Sequence, residues 1–203
     1  MASSTINRGT GAGGAKTNLH GKRFEETTSN EQRLIDAGFL RKEIHSKGKS
    51  TSKQSHYFYK TFGADIEVFY MKQRALRFYM DCVHGKTLPY DPDEAYLIRN
   101  GSTYTLKIVE VKFQSVSGSV DIKLCAGGFF TRAYKKALGP EFNVEYTFCV
   151  NRFLQDQYTN QSQKFTLMRA IHEEDNVRVL FGDDEDYFAK LDQWLALPVT
   201  SCE

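Results

Sequence analysis

The sequence of 203 residues has few of the features that mark secreted, zinc-binding or membrane proteins. Its four cysteines form no Cys-x-x-Cys pair and show no finger-like spacing with the five histidines, which argues against a zinc finger or a disulfide framework. No apolar run approaches the length of a membrane span, and the first residues lack the hydrophobic region of a signal peptide. We therefore expect a soluble, intracellular protein that has no membrane partner and whose thiols are reduced and mostly packed.

The sequence also lacks a strong charge of either sign. Twenty-seven basic and 25 acidic side chains leave a net charge of +2 and a pI of about 8.3, which neither requires nor excludes nucleic acid as a partner. Residues 1–15 are small and polar and predict a flexible N-terminal arm. The glycines there do not have the spacing of a phosphate loop and follow no strand, so we expect no nucleotide cofactor. Residues 16–203 are long enough for a single domain.

Hydrophobic periodicity and turn residues predict an α/β fold with a mixed β-sheet flanked by helices. The predicted helices span 19–38, 118–138, 164–174 and 184–197. The predicted strands lie in a hairpin over 56–70, at 74–83, in a hairpin over 93–114, and at 144–150 and 177–181. Residues 41–53 are expected to form a polar, lysine-rich loop.

The second predicted hairpin carries acidic residues at both of its ends. Asn100-Gly101 lies between two runs rich in aromatic and β-branched residues, which is a strong hairpin signal. Folding this hairpin would place Asp93 beside Glu110, although the two are far apart in sequence. Hard divalent cations such as Mg²⁺ prefer oxygen ligands, usually one or two carboxylates with water and phosphate oxygens. Asp93 and Glu110 are therefore the predicted ligands of a Mg²⁺ ion.

Alternation along a strand places Lys112 and Gln114 on the same face as Glu110. The Lys112 ammonium could orient an attacking water, stabilise developing negative charge or act as a base. Gln114 could hold a phosphate or orient a ligand. Taken singly, Glu-x-Lys is common as a weak surface ion pair and Pro-Asp is a frequent turn opener. The order of the Pro-Asp and Glu-x-Lys motifs around one hairpin favours a metal site over a surface ion pair.

These residues resemble the PD-(D/E)xK nuclease signature: Pro92-Asp93, Glu110-x-Lys112 and Gln114. The segment 113–121 resembles a block of certain type II restriction endonucleases. The Gly-rich opening and the block 118–121 resemble restriction enzymes encoded by large algal viruses. The chain departs from that pattern at 122–125. The resemblance covers 16–197, with its specific motifs in 91–121. It implies a restriction-endonuclease-like core in a single nuclease domain over 16–203, and Mg²⁺-dependent, site-specific hydrolysis of double-stranded DNA. Cleavage at a symmetric site implies a homodimer, because two-fold protein symmetry matches a palindrome.

Other residues are candidates for supporting roles. Nucleases of this kind often carry a helical glutamate near the metal, so Glu25 is the candidate and Glu26 the fallback. Both could instead belong to an acidic first helical turn favoured by the helix dipole. In the polar loop, cations that could neutralise DNA phosphates, or simply be solvated, are Lys42, Lys47, Lys49 and Lys53.

Two other functions remain open at this stage. A DNA repair, recombination or packaging nuclease could share this fold, because fold does not determine function. A non-catalytic DNA-binding module could retain the acidic hairpin for structural reasons. The residues that would read bases are not apparent from the sequence.

Overall fold

The computed structural model describes residues 14–44, 55–116 and 118–197. The helices are α1 (Gly14–Thr28), α2 (Glu31–Asp36), α3 (Arg74–Tyr79), α4 (Val120–Leu124), α5 (Gly127–Leu138), α6 (Arg152–Thr159), α7 (Gln163–Glu174) and α8 (Tyr187–Leu195), and α3 continues as a π-helical turn at Met80–His84. The strands are β1 (Leu40–Ile44), β2 (Ser55–Phe62), β3 (Ile66–Lys72), β4 (Glu94–Asn100), β5 (Thr103–Lys112), β6 (Phe142–Val150) and β7 (Val177–Phe181).

The seven strands form one sheet in the order of the sequence. Strands β1 to β5 are an antiparallel meander, whereas β6 and β7 run parallel to β5. Each parallel step requires a crossover, which α4 and α5 supply before β6 and α6 and α7 supply before β7. The prediction of an α/β fold with a mixed sheet flanked by helices is confirmed.

Helices cover both faces of the sheet, and side chains of β5 alternate between the two hydrophobic cores. Leu106 and Ile108 point to the face covered by α3, α5, α6 and α7. Val109 and Val111 point to the opposite face, which is covered by α1, α2 and α8. Burial on both faces fixes the register of β5, because a shift of one residue would exchange its two sets of side chains.

The β4–β5 hairpin forms as the Asn-Gly signal predicts. Its two-residue loop is Gly101-Ser102, and Gly101 has a φ of +57°, a conformation that glycine adopts without steric cost. In the ladder Glu94 faces Val109, so that Asp93 and Glu110 are opposite each other at the next position.

Four predictions of local structure were wrong. Residues 74–83 form α3 and the π-helical turn rather than a strand, because Leu76, Tyr79 and Met80 are buried at helical spacing. Part of the expected polar loop is the edge strand β1, and 45–54 lie outside the described residues. The predicted helices at 19–38 and 118–138 are each divided in two.

Two further expectations concern the thiols and the membrane. Of the cysteines in the described ranges, Cys149 is buried as expected, but Cys82 and Cys125 are exposed. Among the helices of 14–44, 55–116 and 118–197, none is both long and apolar enough to cross a bilayer.

Two adjacent glycines let α5 approach the sheet closely. A Cβ atom on Gly127 would lie 2.8 Å from Val177 Cγ1 and 2.9 Å from Phe148 Cε2, both in the core. A Cβ atom on Gly128 would overlap the carboxylate of Asp175, which accepts a hydrogen bond from Arg132. Glycine is a poor helix former, but at these positions it is required for close packing.

We predict that Gly127→Ala destabilises the protein by about 1–2 kcal/mol, because overpacking a core costs about 1–3 kcal/mol and exceeds the gain in helix propensity. Urea denaturation measures the difference. Gly21→Ala in α1 is the matched control, since its Cβ atom would meet no atom nearer than 4.0 Å. We expect this control to be neutral or slightly stabilising. Equal stability of Gly127→Ala and wild type would contradict the packing argument.

A buried histidine connects α7 to the end of α4. His172 is 2 % exposed, and its Nε2 lies 2.8 Å from the Leu124 carbonyl oxygen. Because a carbonyl can only accept, Nε2 carries the proton, and Nδ1 accepts from the Tyr158 hydroxyl at 3.0 Å. Burial lowers the pKa of His172 below its ordinary value of 6.5.

The lowered pKa gives stability a pH dependence of known sign. Below pH 6.5 the unfolded chain binds a proton at His172 that the folded protein resists, so the free energy of unfolding falls as pH decreases from 6.5. We predict that His172→Gln flattens this slope in urea denaturation at pH 5 to 8. An unchanged slope in His172→Gln would disprove the assignment.

Candidate metal centre

Asp93, Glu110 and Lys112 meet where β4 begins and β5 ends. The Lys112 ammonium lies 2.5 Å from Glu110 Oε1 and 3.8 Å from Asp93 Oδ2. Asp93 Oδ2 also accepts a hydrogen bond of 2.8 Å from the Val111 N–H. All three side chains are partly buried, with exposed fractions of 29 %, 20 % and 19 % for Asp93, Glu110 and Lys112. The structure therefore brings together the three residues that the sequence predicted would converge.

The ammonium group marks a position suited to a cation. Besides the two carboxylates, Lys112 Nζ lies 3.2 Å from the Val111 carbonyl oxygen. Three oxygens, two from β5 and one from the residue before β4, therefore surround one positive charge. Oxygen donors of this kind suit a hard divalent ion such as Mg²⁺. No three His, Cys, Asp or Glu side chains gather as a metal-binding group in the described parts of the chain. The donor set on offer is two carboxylates and a main-chain carbonyl.

Burial dominates the electrostatics of Glu110. Desolvation raises the pKa of this carboxyl group, the charge of Asp93 raises it further, and the Lys112 ammonium opposes the rise. Two like charges held side by side therefore depend on a neighbouring cation to stay ionised. A second positive charge would stabilise the ionised pair further.

Glu25 lies in α1, near enough to Asp93 and Lys112 for their charges to shift its pKa. Helix α1 ends at Thr28, so Glu25 and Glu26 lie in its last turns, where the helix dipole disfavours negative charge. The alternative that they form an acidic first turn is wrong. Burial raises the pKa of Glu25, and Asp93 raises it further, whereas Lys112, Lys72 and Lys22 lower it.

Aromatic packing holds α1 beside the end of β5. Phe113 follows β5, and its ring centroid lies 5.9 Å from that of Phe24 and 6.4 Å from that of His20. A Cβ atom on Gly182 would lie 2.6 Å from Phe24 Cζ and 2.8 Å from Thr28 Cγ2. Contacts at Phe24 and Thr28 thus bracket Glu25.

Gln114 is directed inward. Its side chain is 4 % exposed and donates a hydrogen bond of 2.6 Å to the Val116 carbonyl oxygen. Asn151, at the end of β6, accepts from the Gln114 N–H at 3.1 Å and donates to the Gln114 carbonyl at 3.0 Å. Gln114 therefore fixes the segment that follows Lys112, and its predicted contact with a phosphate stays a prediction.

Of the four lysines expected to contact DNA, the structure describes Lys42. It is exposed on β1, and its Nζ lies 4.4 Å from the centroid of the Tyr59 ring. Strand β1 is three strand spacings from β4, roughly 14 Å at about 4.8 Å per spacing. Lys47, Lys49 and Lys53 lie outside the described residues.

A groove of about 530 Å³ lies between α1, α2 and the end of β3. Its lining residues are Lys22, Glu25, Glu26, Ser29, Glu31, Gln32, Ile35 and Lys72. Glu25 is the lining residue whose pKa is also raised by the charge of Asp93. Glu26 lines the same groove, so both the candidate and the fallback glutamate are accessible there.

Sequence reasoning missed the polar residues that support the cluster. Glu94 is 3 % exposed and accepts hydrogen bonds from Asn30, while Lys72 donates to Ser29 at 3.1 Å. Asn151 was also missed. The partners lie 64, 43 and 37 positions apart in the sequence, so no local pattern signals them.

Comparisons with known proteins do not assign the chain to a family. No family model, curated protein or solved structure matches it. The interpretation of the site therefore rests on its residues and their geometry.

We predict that Mn²⁺ stabilises the wild-type protein against unfolding by about 1.4 kcal/mol at ten times its dissociation constant. Asp93→Asn should abolish this gain, because the neutral amide can still accept from Val111 but has no charge for the ion. Asp93→Ala should in addition lower the metal-free stability by about 1 kcal/mol, since Val111 N–H loses its partner. Thermal unfolding with and without Mn²⁺ measures both effects, and equal stabilisation of Asp93→Asn and wild type would exclude Asp93 as a ligand.

Proposed function

We propose that this protein is a Mg²⁺-dependent endonuclease that hydrolyses phosphodiester bonds in double-stranded DNA, as type II restriction enzymes do. One observation carries the proposal. Two partly buried carboxylates and a carbonyl oxygen surround the Lys112 ammonium at a strand end, next to a helical glutamate.

Each residue has a specific part in this proposal. Asp93 and Glu110 would hold Mg²⁺. A bound Mg²⁺ ion lowers the pKa of a water molecule and neutralises charge on the phosphate. Lys112 would move away from the carboxylates. It would then either orient the attacking water or neutralise charge on the phosphate. Glu25 would assist from α1, and Gln114 would keep the end of β5 in place through its bonds to Val116 and Asn151.

The order of secondary structure supports the resemblance to PD-(D/E)xK nucleases. The Pro-Asp pair precedes β4, the Glu-x-Lys motif ends β5, and a helical crossover leads to the parallel strand β6. A restriction-endonuclease-like core is therefore part of the proposal, as is a homodimer acting on a two-fold symmetric site. Sedimentation with and without a DNA duplex tests the dimer.

We predict that Lys112→Ala lowers plasmid cleavage in Mg²⁺ by at least about 100-fold, which is the lower range for losing a positioned acid–base or charge-stabilising group. Binding of a DNA duplex in Ca²⁺ should be unchanged, because one cation among many phosphate contacts contributes little to affinity. Cleavage rates and gel-shift titrations provide the two measurements.

The control for this variant is Lys86→Ala. Lys86 pairs with Glu141 at 2.8 Å beside the start of β6, at the opposite end of the sheet, and its loss should leave cleavage unchanged. Wild-type rates of cleavage by Lys112→Ala would exclude Lys112 from the mechanism.

The cleavage products distinguish the candidate functions. Discrete fragments that disappear with EDTA would support a restriction enzyme, and cutting confined to branched or damaged DNA would support a repair or recombination nuclease. DNA binding without any cleavage would support a non-catalytic DNA-binding module.

A further inference from the structure

Charge is distributed unevenly over the two faces of the sheet, although the whole chain has a net charge of only +2. On one face, α3 with its π-helical turn and α5 carry five basic side chains and one acidic side chain, a net charge of +4. Helices α6 and α7 on the same face carry three of each sign. The helices of the opposite face and the turn before α8 carry four basic and nine acidic side chains over 19–36 and 183–195, a net charge of −5. A polyanion would therefore be attracted to the side of α3 and α5.

The five basic side chains of α3 and α5 form what we call the basic surface: Arg74, Arg77, Arg132, Lys135 and Lys136. The segment before β4 connects the two helices. Arg77 of α3 pairs with Asp91 at 3.0 Å, and the Tyr134 hydroxyl of α5 donates to the Tyr90 carbonyl oxygen at 3.1 Å. Because Tyr90 and Asp91 are adjacent in the chain, both helices contact the same short segment. Their basic side chains therefore lie on one side of the protein.

The basic surface reaches the carboxylate cluster through the turn before α3. The Gln73 N–H donates to the Pro92 carbonyl oxygen at 2.9 Å, so the residue before Arg74 contacts the residue before Asp93. Gln73 has a φ of +48°, a positive value that residues other than glycine rarely adopt. Surrounding contacts must hold such a turn in place. The start of α3 and the Pro-Asp motif are thus fixed side by side.

Three of the five cations are available to an anionic partner. Arg77 and Arg132 each pair with an aspartate. The others are exposed and form no ion pair with any residue that the structure describes: Arg74, Lys135 and Lys136. The helix dipole favours the two lysines in the last turn of α5, but it disfavours Arg74 at the first position of α3. Local helix preference therefore does not account for Arg74.

We propose that the basic surface binds the phosphate backbone of a DNA duplex whose cleaved bond lies at Asp93 and Glu110. This inference rests on the proposed nuclease function and names the surface that the substrate occupies. Cations that neutralise phosphates release condensed counterions, which drives binding. A duplex on this surface would also have the sheet between itself and the acidic helices α1, α2 and α8, which would repel it.

The salt dependence of duplex binding tests this surface without any requirement for cleavage. Binding of a fluorescent duplex to the full-length protein in Ca²⁺ is followed by anisotropy at several salt concentrations. Arg74→Gln/Lys136→Gln should bind at least about 10-fold more weakly at about 0.1 M salt. The slope of log K against log salt concentration should become shallower by about 2, since each lost phosphate contact removes about 0.9.

The matched control is Arg23→Gln/Arg178→Gln. It removes the same charge from exposed positions of α1 and β7, and Arg178 points to the same face as Leu180, opposite the basic surface. Its affinity and slope should equal those of the wild type. Lys135→Gln/Lys136→Gln changes α5 alone and should also make the slope shallower by about 2, which keeps the test available if the Arg74 variant folds poorly.

The possible results separate the surface from the nuclease function. Equal losses of affinity in the variant and the control would overturn the surface, because only net charge would then matter. Plasmid cleavage by the wild type, with wild-type affinity and slope in Arg74→Gln/Lys136→Gln, would overturn the surface and leave the nuclease function intact. The expected slopes without cleavage would support the surface and reject the nuclease function. A wild-type protein that binds no duplex would overturn both.

Discussion

The register of the β4–β5 hairpin is the constraint on which the site depends. It sets Asp93 opposite Glu110 at a strand end, where burial raises the pKa of Glu110 and the nearby negative charge raises it further. The cluster persists because Lys112 supplies a positive charge and Val111 N–H supplies a hydrogen bond. Hydrophobic side chains on both faces of β5 fix this register. The packing of the core therefore keeps the two carboxylates close together, although their negative charges repel each other.

In helix α1, too, tertiary packing holds a negative charge where local electrostatics oppose it. Negative charge near its C-terminal end is disfavoured by the helix dipole, and proximity to Asp93 adds repulsion at Glu25. Packing of Phe24 against Phe113 and the close approach at Gly182 hold the helix there regardless. Tertiary contacts thus stabilise a position that local preferences disfavour, which is common at functional sites.

The sequence predicted those parts of the fold and site that local signals determine. Asn100-Gly101 located the hairpin, and alternation along β5 placed Glu110 and Lys112 on one face. The prediction of a strand at 74–83 was wrong, because the residues buried there, Leu76, Tyr79 and Met80, follow helical spacing. The contact of Glu94 with Asn30 could not be predicted, since it joins residues 64 positions apart and depends on how α1 packs. The main chain of Gln114 is likewise held by Asn151, which follows β6 and is 37 positions away in the sequence.

Under the proposed function, the charges of the cluster would favour a divalent ion over a second lysine. Two carboxylates, Asp93 and Glu110, face the single ammonium group of Lys112. An ammonium has three donors and one charge, so it can pair well with Glu110 but lies 3.8 Å from Asp93. A divalent ion between the carboxylates would relieve their repulsion and release the ammonium to interact with a phosphate. The ion pair in the metal-free protein would thus hold the lysine beside the site until ion and substrate arrive.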